Sequence, residues 1–143
     1  MARYCATVPS TLPAPQAFDL LANFDSVQEW DPTVPQAERL DQGDLGVGSV
    51  FRVVVAFGPR KMPLTYVVRE FEPEQRVRLE AVTELFTSDD VITVVPTPLG
   101  STVTYDANLI MHGPARPADP LVQAAFRVLG KGAEAGLQRV LNP

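Results

Sequence analysis

Between residues 34 and 111 apolar and polar side chains alternate with a period of two, interrupted only by short turns, and the rhythm stops at "HGPARPADP" (112–120). Such a period sends alternate side chains to opposite faces of a strand. In "SVFRVVVAF" (49–57) Phe51, Val53, Val55 and Phe57 share one face, with Arg52, Val50, Val54 and Ala56 on the other. In "RVRLEAVTELF" (76–86) Val77, Leu79 and Ala81 oppose Arg76, Arg78 and Glu80. "DDVITVV" (89–95) groups Ile92 with Val94, and "TVTYDANLIM" (102–111) aligns Val103, Tyr105, Ala107, Leu109 and Met111. "PQAERL" (35–40) is a weaker strand. "LTYVVREFE" (64–72) is a strand whose pattern fits either facing: Leu64, Tyr66, Val68 and Glu70 inward, or Val67, Arg69 and Phe71. The turns "GPRKMP", "PEQ" and "PTPLGS" are short, so consecutive strands pair as an antiparallel meander.

The flanks follow other rules. Residues 3–12 alternate as a first strand, and Pro9, which has no amide to donate, puts it at a sheet edge or a bend. "LPAPQAFDLLANF" (12–24) opens with proline and spaces Phe18, Leu21 and Ala22 as an amphipathic helix. "DSVQEWDPTV" (25–34) adds a second helical turn, stopped by Pro32. From 116 onward Leu121, Val122, Ala125, Phe126, Leu129, Ala133, Leu137, Val140 and Leu141 recur at three-and-four spacing. This predicts one long helix, with Asp119 as its cap and Pro120 at its first position. The order is strand, two short helices, six strands, long helix.

The apolar face of the meander needs a cover, and the last helix is the only long element available. A helix about 10 Å across cannot fill the hollow of a curved seven-stranded sheet unless its side chains are large. This one carries Ala124, Ala125, Gly130, Gly132, Ala133, Ala135 and Gly136. Each interior glycine costs about 0.8–1 kcal/mol of helix propensity. Either close helix–sheet contact or room for a guest accounts for them.

The order and several stretches resemble the helix-grip fold of the START/Bet v1-like (SRPBCC) superfamily, in particular the bacterial polyketide cyclase/dehydrase and lipid-transport family. "APQAFDLLANFDSVQEWDPTV" (14–34) is similar to that family's Ala-Pro, aromatic, Leu, Trp-x-Pro-x-Val segment. "GVGSVFRV" (46–53) is similar to its Gly-x-Gly strand entry, and "YVVREFEPEQRVRLE" (66–80) to its strand–Pro–turn–Arg–strand unit. "LGSTVTYDANL" (99–109) resembles its seventh strand, with Ser101 where glycine is usual. The resemblance implies an α+β helix-grip domain over residues 1–143: a curved seven-stranded antiparallel sheet around a long C-terminal helix, with two short helices between strands 1 and 2.

Composition removes several function classes. The 143 residues carry 12 bases against 17 acids, a net charge of −5, and the bases are unclustered, which argues against nucleic-acid binding. Cys5 is the lone cysteine and His112 the lone histidine, so no disulfide and no metal site is expected. No apolar run reaches the ~18 residues of a membrane span, and "MARYCATVPS" has no signal-peptide core. A cytoplasmic protein without stable membrane insertion, cofactor-free, monomeric or weakly dimeric, is the expectation.

Individual residues narrow the rest. "GDLGVGSVF" (43–51) lacks the Lys-Ser/Thr of a phosphate loop and leads into a strand, so it reads as a bend. Trp30 is either a plug locking the short helices to the sheet or a wall at a cavity mouth. His112 ends a strand and reads as a surface residue, although its ordinary pKa suits acid–base work. Asp90 shares its period with Ile92 and Val94. It either follows them inward, as a polar anchor or proton acceptor, or forms a solvated pair with Asp89.

The expected function is binding or transport of a small hydrophobic ligand (lipid, polyketide or isoprenoid-like) between sheet and helix. The expected lining is Phe51, Val53, Val55 and Phe57 from one strand, Tyr66, Val77, Leu79 and Ala81 from the next two, and Ile92, Val94, Val103 and Tyr105 from the last two. Leu121, Ala125, Leu129 and Ala133 would contribute from the helix, with Trp30 flanking the entrance. The resemblance also implies an alternative, polyketide aromatase/cyclase or dehydrase chemistry, with Asp90, Tyr66 and Tyr105 as catalytic candidates and Glu70 or Arg69 behind them. A further alternative is a protein-interaction module of the coenzyme-Q-binding or ribosome-associated type, using outward Val50, Val54 and Ala56.

Overall fold

A computed structural model describes residues 1–114 and 119–143, apart from the side chains of Phe57 and Asp119. The expected cap at Asp119 and the facing of Phe57 therefore lie outside what is described. Strand β1 (Ala2–Ser10) is followed by helix α1 (Ala14–Ala22), a 3-10 turn (Phe24–Ser26) and helix α2 (Val27–Trp30). The meander comprises β2 (Gln36–Arg39), β3 (Val50–Phe57), β4 (Arg60–Glu72), β5 (Arg76–Val82), β6 (Phe86–Thr97) and β7 (Gly100–Met111). Helix α3 spans Asp119–Val140. The sheet order is β1-β7-β6-β5-β4-β3-β2, every neighbouring pair antiparallel. This is the Bet v1-like helix-grip arrangement.

β4 begins at Arg60 and β6 runs on to Thr97, both inside segments expected as turns, and three further differences from the sequence reading have a local reason. Strand β1 stops at Ser10 because its hydroxyl accepts the Leu12 amide (3.0 Å) and donates to the Leu141 carbonyl (2.7 Å), turning the chain away. The segment expected as one strand over 76–86 is split at Thr83, whose hydroxyl accepts from the Phe86 amide (3.1 Å) and donates to its carbonyl (3.0 Å). That turn contains neither glycine nor proline, the residues that mark the others. The ambiguous facing of 64–72 is resolved by a register shift between Val68 and Glu70. Leu64, Tyr66 and Val68 are buried on the inner face. Past the shift Phe71 returns to that face, edge-on to Phe18 of α1 at 5.4 Å between ring centroids. Glu70 goes outward to Arg76 (2.7 Å) and Arg78 (3.3 Å). Each of the two facings holds for half of the strand, as a β-bulge allows.

Helix α3 runs along the β1 edge. Arg3 and Gln123 exchange backbone–side-chain hydrogen bonds of 2.9 and 3.2 Å. Farther along, the Tyr4 hydroxyl donates to Glu134 (3.1 Å), and Asn142 donates to the Pro9 carbonyl (3.0 Å). The Arg139 guanidinium donates to the Glu29 carbonyl at 2.7 Å, tying the same end to α2. The helix glycines are points of closest approach. A Cβ at Gly130 would collide with the Tyr4 ring, one at Gly136 with the Trp30 carbonyl, and one at Gly132 would sit 2.9 Å from Pro32 Cγ. Of the two reasons considered for them, close contact is the one the structure supplies.

The helix is unevenly buried. Ala133, Leu137 and Leu141 are in the core, while Leu121 and Val128 are 78% and 71% exposed. Below the C-terminal half, α1 and α2 complete a close-packed core with Phe18, Leu21, Phe24, Trp30, Phe51, Leu79 and Ile92. Gly136→Ala should therefore destabilise the protein by about 2 kcal/mol, the backbone collision outweighing the gain in helix propensity. Urea denaturation checks this; an unchanged or raised midpoint would refute the close docking.

Candidate functional site

Where α3 stands away from the sheet, a cavity of about 400 Å³ remains. Its floor is the inner face of β3, β4, β6 and β7, through Val53, Val55, Leu64, Tyr66, Phe86, Ser88, Asp90, Tyr105, Ala107, Leu109 and Met111. Leu121, Val122, Ala125, Phe126, Leu129, Gly130 and Ala133 of α3 form the roof, with Tyr4 at the β1 side. Phe24, Val27, Asp31, Thr33 and Val34 close the end next to α2. Leu121, in the first turn of α3, borders the cavity and is also largely exposed. Small partners keep the floor low: the inward residue opposite Ser88 on β5 is Ala81, and that opposite Asp90 on β7 is Ala107.

One polar cluster interrupts this apolar surface. The Tyr105 hydroxyl donates to Asp90 Oδ2 at 2.8 Å. Ser88 Oγ donates to Asp90 Oδ1 at 3.4 Å and lies 2.7 Å from the Tyr66 hydroxyl. With the serine proton directed at the carboxylate, the Tyr66 proton is directed at the serine, giving a donor chain that ends on Asp90. Asp90 is 3% exposed, so it points inward with Ile92 and Val94 while Asp89 pairs outward with Arg78 (2.9 Å).

Burial pushes the Asp90 carboxyl up to about 7, against the Tyr105 and Ser88 hydrogen bonds, which favour the anion; the negative fields of Asp31 and Asp89 add to the rise. Burial also holds the Tyr66 and Tyr105 hydroxyls well above the ordinary phenol range, so both remain neutral donors. Asp31 is raised by burial too, and opposed by the Thr33 hydroxyl (2.7 Å) and amide (2.8 Å), which donate to its Oδ1. That geometry is an Asx turn after α2.

The structure gathers part of the expected lining. Val53, Val55, Tyr66, Tyr105, Leu121, Ala125, Leu129 and Ala133 border the cavity. Phe51, Val77, Leu79, Ala81, Ile92, Val94 and Val103 face the same way but lie within the packed core. They share the buried core with Phe18, Leu21 and Trp30, and none of them borders the cavity. Trp30 is 1% exposed and sits behind Tyr105, edge-on at 5.2 Å between centroids. It is the plug of the two readings, and its indole N–H finds no hydrogen-bond partner among the described residues.

Sequence reasoning missed Asp31, Thr33, Ser88, Phe86 and Tyr4. For Ser88 and Phe86 the signal was available, since both share the period of Asp90 once the turn is placed at Thr83. Asp31 and Thr33 follow a helix stop, where periodicity assigns no face. The glycine-rich loop uses its own amides: Gly48 donates to the Val68 carbonyl (2.9 Å), Ser49 to the Gly46 carbonyl (3.0 Å), and Gly46 to Ser49 Oγ (3.1 Å). Positive φ at Gly43 and Gly48 makes the bends. His112 Nε2 lies 2.9 Å from the Thr87 hydroxyl, away from the cavity.

Comparison with known proteins places the chain. Residues 1–141 match the family described as "Polyketide cyclase / dehydrase and lipid transport". The chain belongs to that family. Among solved structures, the Zhui aromatase/cyclase from Streptomyces sp. R1128 superposes with a TM-score of 0.76 at 11% identity, over 98% of this chain and 92% of that one. Protein NE0264 from Nitrosomonas europaea gives 0.69 at 18% identity, over 98% and 94%. Ara h 8.0201 gives 0.60 at 12%, over 94% and 96%. At these identities the likeness concerns the fold. No curated protein matches the chain by sequence. Among the described residues, no group of three or more His, Cys, Asp or Glu could hold a metal ion, and no helix is long and apolar enough to cross a membrane.

The Asp90 shift carries a sign. Its folded pKa lies above the ordinary carboxylate value, so the folded state holds this proton longer than the unfolded chain does. Stability falls as pH rises from about 4 to about 7, by at most about 4 kcal/mol, and the loss is complete above about 7. Asp90→Asn should remove this decline, raising stability by about 2 kcal/mol at about pH 8 and little at about pH 5. Urea titrations at both pH values check it; parallel profiles for parent and variant would contradict an uncompensated carboxyl at this position.

Proposed function

We propose that this protein binds a small hydrophobic molecule in the cavity between the sheet and α3. The observation that carries the reading is the cavity itself, with largely apolar walls and one polar cluster. A void of this size in a protein interior costs dispersion contacts on every wall. A guest restores those contacts and removes apolar surface from water at about 25 cal/mol per Å². The same design, an apolar cleft with few placed polar groups, is the usual form of a small-molecule site. Val53, Val55, Leu64, Phe86, Leu109 and Met111 would hold the apolar body, with Leu129 and Ala133 above it. Tyr66, Tyr105 and Asp90 would orient a polar end.

A second reading has one specific observation in its favour: Asp90, with a pKa of about 7 and a hydrogen bond from Tyr105, faces the same cavity. A carboxyl poised near neutrality suits general acid–base steps on a carbonyl compound, as a polyketide cyclase or dehydrase requires. Turnover of a poly-β-ketone mimic, lost in Asp90→Asn with binding retained, would favour it. The interaction-module reading lacks such support, since outward Val54 is only 9% exposed.

The binding reading is tested with the uncharged fluorescent probe N-phenyl-1-naphthylamine. It should bind saturably at one site, and Ala107→Phe, which projects a ring into the cavity, should weaken it about tenfold or more, about 1.4 kcal/mol, without lowering the melting temperature. Absence of saturable binding, or full affinity in the filled variant, counts against an internal site.

A further inference from the structure

Resting on the reading of the cavity as a ligand site, we propose that the preferred guest is an apolar molecule whose polar end is a protonated amine, seated against Asp90 and Asp31, and that acids are excluded. Several exposed carboxylates are matched to arginines: Asp41 to Arg39 at 3.0 Å in the loop after β2, and on the outer face of the sheet Glu70 to Arg76 at 2.7 Å, with Asp89 to Arg78 and Asp106 to Arg3 both at 2.9 Å. The two carboxyls that border the cavity are treated differently. Among the described residues, Asp90 receives the Tyr105 and Ser88 hydroxyls alone, and the Asp31 carboxylate the Thr33 hydroxyl and amide alone. Among the described residues that line the cavity there is no Lys, Arg or His.

The contrast is sharpest along β6, where Asp89 has an arginine and its neighbour Asp90 has no cation among the described residues. A buried carboxylate without a counter-ion is disfavoured, and an ammonium group brought by a ligand supplies that ion and its hydrogen bonds together. Asp90 has sites to spare, because a carboxylate offers about four lone-pair positions and the protein fills two. Among the described residues, every titratable group around it is an acid or a neutral phenol: Asp31 after α2, Asp89 on its own strand, Tyr66 on β4, Tyr105 on β7, and Tyr4 on β1, which is bonded to Glu134 of α3. Asp31 lies near enough for its negative field to act on Asp90. A ligand carboxylate or phosphate would meet like charge and, among the described residues, no cation to offset it, whereas an alcohol would lose only the ion pair.

The test compares octylammonium, octanol and octanoate by isothermal titration calorimetry, since one chain length with three head groups isolates the charge. Octylammonium should bind at least about tenfold more tightly than octanol, with octanoate weakest. Asp90→Asn should remove the ammonium advantage, bringing the ratio of octylammonium to octanol affinity to about one, and a cooperative thermal transition shows that the variant is folded. Asp31→Asn, in the turn after α2, should reduce the same advantage and serves as the readout if Asp90→Asn fails to fold. Octanol binding as well as or better than octylammonium, or an advantage that survives both substitutions, overturns the charge inference and leaves the cavity reading standing. Failure of all three compounds to bind overturns both.

Discussion

The structure depends on how α3 is anchored. It is held along β1, one edge of the sheet, by Gln123, Glu134 and Asn142, and against α2 by Arg139 and the bare backbone of Gly136. A rod pinned along one edge and pressed down at one end cannot also follow the concave floor of a seven-stranded sheet. Contact is closest where glycine removes the Cβ, and it opens toward the N-terminal turns, where Leu121 and Val128 face solvent. The cavity is the geometric remainder of that docking.

The remainder is mixed in polarity. Most of its walls are Val, Leu, Phe, Met and Ala, while Tyr66, Ser88, Asp90 and Tyr105 on the sheet and Asp31 and Thr33 after α2 add hydroxyls and carboxyls. The hydroxyls are fixed by one another and by Asp90, which limits the entropy lost when a guest is oriented there. Among the described residues, this cluster lacks positive charge. Protein groups alone leave Asp90 partly protonated near neutrality, and a group in that condition responds strongly to whatever enters beside it.

Much of this is readable from the chain. Alternation assigns the strands from β3 to β7 and lets Asp90 follow Ile92 and Val94 inward without requiring it, and the small residues of α3 fit either a close approach or room for a guest. Where reading fails, side-chain hydrogen bonds replace the usual punctuation. Thr83 closes a turn without glycine or proline, Ser10 ends β1 early, and a bulge near Arg69 reverses the facing within β4. Each is a local event that an average period passes over.

By itself the sequence determined the order of elements, the face most strand residues take and the resemblance to a family, because these follow from spacing along the chain. Only the tertiary structure decided which half of the inner face is solid and which is hollow. Leu79 and Leu64 illustrate the difference: both point inward, yet one lies in the packed core and the other borders the cavity. Periodicity fixes the direction of a side chain and carries no information about the distance to the layer opposite. That distance is set by contacts between residues far apart in the chain, such as Trp30 with Gly136.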